Sequence, residues 1–419
     1  MSLYSAFYAS LSGLSSNANS LGVIGNNLSN LNTTGFKAST ATFQDLYNTA
    51  LTGTGTQGNG NPMQVGLGTS LSTAAQDFTQ GSAQASGTVT NMALQGNGFF
   101  SLKTTSGAAA YTRAGNFSVD KNGFLVDPNG NNVMGWNASG GAINPSGTPA
   151  PIFLNPGATN PPSPTTKASN TTNLNATSPT GTTFTAPISV YDSQGGSHNL
   201  EITYTKTATP GQWSTAVSTD DAGVPTVSGY PATVQFDSAG NLVSPAAGTN
   251  PTLAGITWSN GATNAGIAVN IWNGNPATSS LTSYAQSSGT TATTQNGYAA
   301  GTVTGMTVDA TGTIVGTFTN GQTGPLAQVA VATFANTNGL TVGANNVWTP
   351  TLASGTANIG TANTGGRATV LGSNLESSNV DVATEFTKLI INQNGYEANS
   401  RVITTANTLL QTVIGMIQG

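Results

Sequence analysis

His198 is the only histidine in 419 residues, and the chain contains no cysteine. That excludes multi-histidine metal sites, thiolate ligands, thiol nucleophiles and disulfides, and leaves one imidazole for any serine–histidine triad. It follows Gly195-Gly196-Ser197, which predicts an exposed histidine beside a hairpin turn. The acidic residues are scattered, apart from Asp220-Asp221, adjacent in a loop rather than projected across a cleft as paired-carboxylate catalysis requires. Gly96-Asn97-Gly98-Phe99-Phe100 has glycine spacing but no following lysine and no strand-to-helix setting, so it reads as a tight turn entering a strand. Trp136, Trp213, Trp258, Trp272 and Trp348 are far apart and are expected in cores. No catalytic residue, metal ligand or cofactor is predicted, and the chain reads as a non-enzyme.

Nine basic against fourteen acidic residues give a net charge of -5, with no basic cluster to release counterions from a nucleic acid. Only 5% of residues are charged and 53 are glycine, a composition for turns and strands rather than solvated helices. The length calls for two or three domains. Met1-Ser2-Leu3-Tyr4-Ser5 lacks the basic and apolar regions of a secretory signal, and no apolar run of about 18 residues occurs, so no membrane insertion is expected.

The elements that position these residues begin at the two ends. Phe7, Leu14, Leu21 and Leu28 recur every seven residues, with Leu3, Leu11, Ala18, Ile24 and Leu31 between them, which predicts a helix over 1–31. Leu389, Tyr396, Ile403, Leu410 and Ile417 repeat the interval, with Val382, Phe386 and Ile414 at intermediate positions, over 378–419. Ser378-Asn379-Val380-Asp381 marks the start of that helix. At about 1.5 Å per residue the two are near enough in length to pair as an antiparallel coiled coil. No charged residue precedes Lys37, and the outward positions are Ser, Asn, Ala and Gly. A helix so built suits an inner wall surrounded by copies of itself, and the nine heptad residues are the expected self-assembly positions.

Between the helices a turn unit recurs: Asp120 to Gly123, Asp192 to Gly195, Asp237 to Gly240 and Asp309 to Gly312, each flanked by alternating apolar residues. Asp at the first and Gly at the fourth position predict hairpins. One carboxylate per unit is too few for a calcium loop. Pro151–Thr183 and Ser279–Thr294, rich in Pro, Thr, Asn and Ser, read as linkers around an inserted domain. The expected division is a helical core of 1–31 and 378–419, connecting segments 32–75 and 366–377, an inner β domain of 76–150 and 290–365, and an outer β domain of 151–289.

Asn26-Asn27-Leu28-Ser29-Asn30-Leu31-Asn32-Thr33-Thr34-Gly35-Phe36-Lys37 resembles the N-terminal motif of the bacterial flagellar axial family of rod and hook subunits. Within it Asn27, Asn30, Thr34, Gly35, Phe36 and Lys37 are the motif positions. Gln76-Asp77-Phe78-Thr79-Gln80-Gly81, Val190-Tyr191-Asp192-Ser193-Gln194-Gly195, Thr294-Gln295-Asn296-Gly297-Tyr298 and Leu375-Glu376-Ser377-Ser378-Asn379-Val380-Asp381 resemble the hook branch. The resemblance implies an α+β, multidomain chain of paired terminal helices under two mainly-β domains, the outer inserted into the inner. It implies a structural role in a curved, flexible tube of the bacterial flagellum that transmits torque from rod to filament as a universal joint. The implied partners are copies of the chain, rod and hook–filament junction proteins, the hook cap and the flagellar export apparatus, through which it would leave the cell without a cleaved signal peptide. A distal rod subunit, or a secreted carbohydrate-active β protein, are the alternative readings. One departure stands out: Gln393-Asn394-Gly395-Tyr396 puts glycine inside the second helix, where the family commonly has none, at a cost of about 1 kcal/mol unless packing compensates.

Overall fold

The computed structural model describes residues 3–46, 48–50, 64–155, 157–221, 227–254, 256–264, 266–272 and 278–418. The chain forms two compact units, one of residues 1–156, 306–316 and 324–419, the other of residues 157–305 and 317–323. In the first, α1 (Leu3–Ser29) and α2 (Val382–Gln418) flank a strand-rich body. The described residues of the expected connecting segment 32–75 include a strand pair. Ser39–Asp45 pairs antiparallel with Thr69–Gln76, and the ribbon docks on α1 because Ser12 Oγ accepts the Thr69 N–H at 3.1 Å and Ser16 Oγ donates to the Thr69 carbonyl. The body's sheet runs in the order Thr323–Thr333, Asn132–Asn137, Phe99–Lys103, Ala109–Thr112, Val347–Thr349, Thr341–Val342. Met92, Leu94, Phe100, Leu102, Val133 and Val329 form its core, beside an aromatic cluster of Phe99, Tyr111 and Trp348.

The second unit is built on an antiparallel meander of Thr183–Tyr191, Ser197–Lys206, Gln212–Thr219, Thr233–Phe236 and Leu242–Ser244, with side chains alternately buried and exposed as a two-residue period requires. The two stretches read as linkers are strands of this unit. Lys167–Asn173 pairs with Gly289–Gln295, from Ala168 opposite Gln295 to Asn173 opposite Gly289. Hydroxyl and amide side chains bridge the pair, as between Thr172 and Thr290 at 3.0 Å, so a polar composition that resembles a linker is here a β-branched, cross-bonded strand. All five tryptophans are buried, so none presents a ring to a glycan.

The Asp-to-Gly turns have one geometry throughout. In each, the glycine N–H returns to the aspartate carbonyl at 3.0–3.1 Å, and the aspartate Oδ1 accepts the N–H groups two and four residues on. A fifth copy, Asp127 to Gly130, has the same bonds. The glycines lie at φ between 74° and 88°, where a Cβ is strained. At Gly312 a Cβ would also meet Val329 Cγ2 at 2.5 Å. Gly312→Ala is expected to lower stability by about 1–3 kcal/mol, read as a shift of the denaturant midpoint at unchanged m-value.

Candidate functional site: a buried charge cluster beneath the terminal helices

The site begins where α1 ends. Gly35 takes φ 67°, and a Cβ there would lie 2.6 Å from the Ala114 nitrogen, so only glycine lets the chain turn against the body. The Gly35 N–H donates to the Glu376 carbonyl at 2.8 Å, and Phe36 is buried immediately after. Lys37, the first charge in the chain, is buried too. Its Nζ donates to Glu376 Oε1 and to the Thr79 carbonyl, both at 2.7 Å. Arg113 approaches the same carboxylate, Nε to Oε2 at 3.1 Å, and its Nη1 donates to the Gly96 and Gly98 carbonyls at 2.8 and 2.7 Å. The Gly81 N–H completes the set at 3.0 Å from Glu376 Oε1. Burial pushes the Lys37 ammonium below its usual range, Glu376 opposes that, and Arg113 adds to it. One carboxylate thus holds two buried cations.

Three of the segments that carry the family resemblance, 26–37, 76–81 and 375–381, far apart in sequence, meet here. Asn379 Oδ1 accepts the Ala38 N–H at 2.8 Å, while its Nδ2 donates to the Asp77 carbonyl at 2.8 Å. Gln80 bridges the Leu94 carbonyl and the Gly96 N–H. Gln76 Oε1 accepts the Trp348 indole N–H at 2.7 Å, and Phe78 packs on Phe99 and Trp348. The Gly96-Asn97-Gly98 turn therefore supplies carbonyls to a structural arginine, in the strand-entry role its spacing predicts.

Asn27 extends the network to both helices. Its side chain exchanges two hydrogen bonds with the Ser39 backbone and donates to Glu385 Oε2 at 3.1 Å, and buried Glu385 also accepts from Lys388 Nζ at 2.7 Å. α2 is capped by Asp381, whose Oδ1 accepts the Thr384 N–H at 2.7 Å, a bond that lowers the Asp381 pKa, while Ser378 and Asn379, the residues expected to cap it, bond the Val380 and Ala38 N–H groups instead. The helices run antiparallel with 27 opposite 385, 17 opposite 395 and 13 opposite 399. A Cβ on Gly395 would lie 3.1 Å from Asn17 Nδ2, and one on Gly13 would lie 2.7 Å from Asn399 Nδ2. Gly395 is thus a seat of close helix approach, which offsets its propensity cost. Of the other motif positions, Asn30 Nδ2 donates to the Asn26 carbonyl and the Thr34 carbonyl accepts from Asn346 Nδ2.

The heptad residues do not form the buried stripe of α1. That stripe is Ser10, Gly13, Ser16, Ser20, Ile24 and Asn27, and Phe7, Leu14, Leu21 and Leu28 are half-buried. Small residues face inward because they allow close approach, and Ser10 satisfies its hydroxyl on the Ala6 carbonyl. On α2, Leu389, Ile403 and Leu410 are half-buried and Tyr396 is exposed, while the side chain of Ile417 lies outside the described residues. Phe386, Ile390, Ile391, Leu409, Ile414 and Met416 are all more than half exposed, Ile391 at 63%.

His198, predicted exposed, is instead mostly buried in the second unit. Its ring stacks on Trp258 at 3.9 Å, with Nε2 3.0 Å from Asp192 Oδ2 and Nδ1 3.6 Å from Asp221 Oδ2. Trp258 and Asp221 lie far from His198 in sequence, so no local pattern shows these contacts. Asp220 is occupied with the Asn199 backbone and side-chain amides, so the Asp220-Asp221 pair faces two different partners. Burial pushes the Asp192 carboxyl up, but the Asn260 amide, His198 and the N–H groups of Gly196 and Gln194 outweigh that and hold it at about 2.

Removing Glu376 leaves two buried like charges, so Glu376→Gln is expected to cost about 3–5 kcal/mol in chemical unfolding, with Lys37→Met plus Glu376→Gln costing less than the sum of the single changes. Because the Asp192 pKa is depressed in the folded state, its contribution is present above pH 4 and lost as pH falls toward 2. Asp192→Asn should therefore destabilise the chain at pH 7, and the difference from wild type should shrink toward pH 2 in acid titrations followed by tryptophan fluorescence.

Four family descriptions match the chain: Flagella basal body rod protein at 7–37, Flagellar hook protein FlgE/F/G D1 domain at 93–171, Flagellar basal body protein FlaE D2 domain at 155–298, and Flagellar basal body rod FlgEFG protein C-terminal at 372–416. The chain is 34% identical over 430 residues to the flagellar hook protein FlgE of Escherichia coli, covering 98% of this chain and 100% of that one. It is 32% identical over 464 residues to the flagellar hook protein FlgE of Treponema pallidum, covering 98% and 99%. A crystal structure of Helicobacter pylori flagellar hook protein FlgE2 aligns with a TM-score of 0.47 at 15% identity, covering 70% of this chain and 100% of that one. With near-complete coverage at this identity, the chain belongs to the FlgE flagellar hook protein family.

Proposed function

We propose that this chain polymerises into the curved, flexible tube of a flagellar hook and transmits torque from rod to filament as a universal joint. It is a structural protein, not an enzyme. The observation that carries the reading is the set of large apolar side chains left exposed along α2, Phe386, Ile390 and Ile391 near its start and Leu409, Ile414 and Met416 near its end, on a helix anchored at its start by Glu385 and Asp381. Large apolar side chains exposed in that number on one helix of an isolated subunit call for a covering partner. Copies related by a helical rise give an open tube rather than a closed ring.

In this reading α1 and α2 form a coiled coil lining the inner wall, and Phe7, Leu14, Leu21, Leu28, Leu389, Tyr396, Ile403, Leu410 and Ile417 pack within and between copies. The half-burial of Phe7, Leu14, Leu21, Leu28, Leu389, Ile403 and Leu410 and the exposure of Tyr396 support a role in which the seam closes only on assembly. The separate inserted domain expected at 151–289 is supported by the compact unit of residues 157–305 and 317–323, which also takes in 290–305 and 317–323 from the expected inner β domain. Rod and junction proteins would meet the two ends of the tube, a cap would oversee growth, and the flagellar export apparatus would deliver the chain to the outside without a cleaved signal peptide.

The test is polymerisation of the purified chain followed by electron microscopy. Curved tubes are expected, straight rigid ones would favour the distal rod, and absence of tubes would sink the reading. Phe386→Asp plus Ile391→Asp should abolish tubes while leaving the monomer's unfolding midpoint within about 0.5 kcal/mol of wild type, since both side chains face solvent in the monomer.

A further inference from the structure

Strand Ser197–Lys206 turns Leu200, Ile202 and Tyr204 into the core of the second unit, and Lys206 continues that inward row at 8% exposure. Its neighbour across the strand pair is Trp213, and Nζ stands 5.1 Å from the centre of that indole ring. Among the described residues no carboxylate and no hydrogen-bond acceptor meets the ammonium, and burial alone pushes its pKa down. Lys206 opens on a cavity of about 340 Å³ that Gly211, Phe236, Asp237, Ser283 and Tyr284 help to line. The Ser283 hydroxyl in its wall is buried without a partner. Asp237 in the same wall is held by its own turn, accepting the N–H groups of Ala239 and Asn241 and the Asn241 amide, and makes no ion pair with Lys206.

An ammonium and a hydroxyl facing one cavity can both donate, and leaving such donors unpaired on burial is costly. A carboxylate, with two oxygens and about four acceptor positions, matches that set and supplies the missing charge. Within the same unit Glu201 is the one carboxylate without a partner among the described residues, since Asp192, Asp220, Asp221 and Asp237 are all bonded. It sits on the same strand as Lys206 but on the opposite face, five residues away in a two-residue period, so it cannot reach its own lysine. We propose that the Lys206 cavity is a carboxylate-binding site, filled in the assembled tube by Glu201 of a second copy. Lysine to glutamate between unlike faces of one strand is a heterologous contact, which builds an open filament where its rotation does not close into a ring. The site itself stands on the geometry, and its occupant rests on the polymerisation proposed above.

Amine acetylation of the full chain, read by mass spectrometry with exposed Lys167 of the same unit as internal standard, tests both parts. In the monomer, succinate should slow acetylation of Lys206 several-fold and leave Lys167 unchanged. Equal rates with and without succinate would overturn the site and leave Lys206 as a lysine that merely extends its tip to water. In wild-type tubes Lys206 should be protected, and in Glu201→Gln tubes its reactivity should return. A folded Glu201→Gln chain that no longer polymerises would support the contact equally. Protection that persists in Glu201→Gln tubes, or never appears in wild-type tubes, would overturn the assignment of Glu201. If wild-type chain forms no tubes, that assignment falls with the hook reading, and the succinate arm still decides the cavity.

Discussion

A single carboxylate, Glu376, binds together the parts of the first unit that sequence keeps farthest apart. It holds Lys37 at the exit of α1, Arg113 from the sheet and the Gly81 amide, and its own backbone carbonyl takes the Gly35 N–H. In a chain with so few charges, two cations and an anion placed out of water are a large commitment, and they are tolerable only because each finds close, directed partners. The outcome is a fixed exit direction for α1 and, through Asn379 and the Asn27–Glu385 bond, for α2.

The helix pair that leaves this joint divides its chemistry by face. Serine, glycine and asparagine line the inward contact, where Asn17 meets Gly395 and Asn399 meets Gly13. Small side chains permit a short interaxial distance, and the amides set a register that apolar residues alone would leave free to slip. The bulky residues are left outside, above all on α2. A subunit with rigidly held helices and an unsatisfied outer face fits a role in which association, rather than chemistry, is the function.

Much of this was legible in the sequence. The heptad spacing located both helices to within a few residues, Asp381 marked the start of α2, and the Asp-to-Gly units gave hairpin turns whose bonds repeat almost atom for atom. What the periodicity did not reveal is that the heptad leucines are not the inward stripe of α1, because a seven-residue count cannot tell a seam between two helices from one shared among many. Strands Lys167–Asn173 and Gly289–Gln295 were hidden by polar composition, since threonine and asparagine serve linkers and cross-bonded strands alike. The fifth turn, Asp127 to Gly130, carries the same signal, with Pro128 at the position a type I turn favours for proline. Arg113 and Glu376 went unnoticed as partners because they lie 263 positions apart. The rarity of charge was the available signal: a lysine directly after a Gly-Phe exit and a glutamate beside an Asn-Val-Asp cap are conspicuous in a chain that is 5% charged.

The account separates a joint that is complete in the subunit from a helical face that is completed only by neighbours. Hydrogen exchange on the full chain, measured by mass spectrometry before and after polymerisation, addresses that separation directly. The segments around 35–38, 79–81 and 374–377 should exchange slowly in the monomer and stay unchanged in tubes, while 386–416 should exchange quickly in the monomer and become protected. A joint that gains protection only on assembly, or an α2 segment whose exchange is the same in both states, would contradict it.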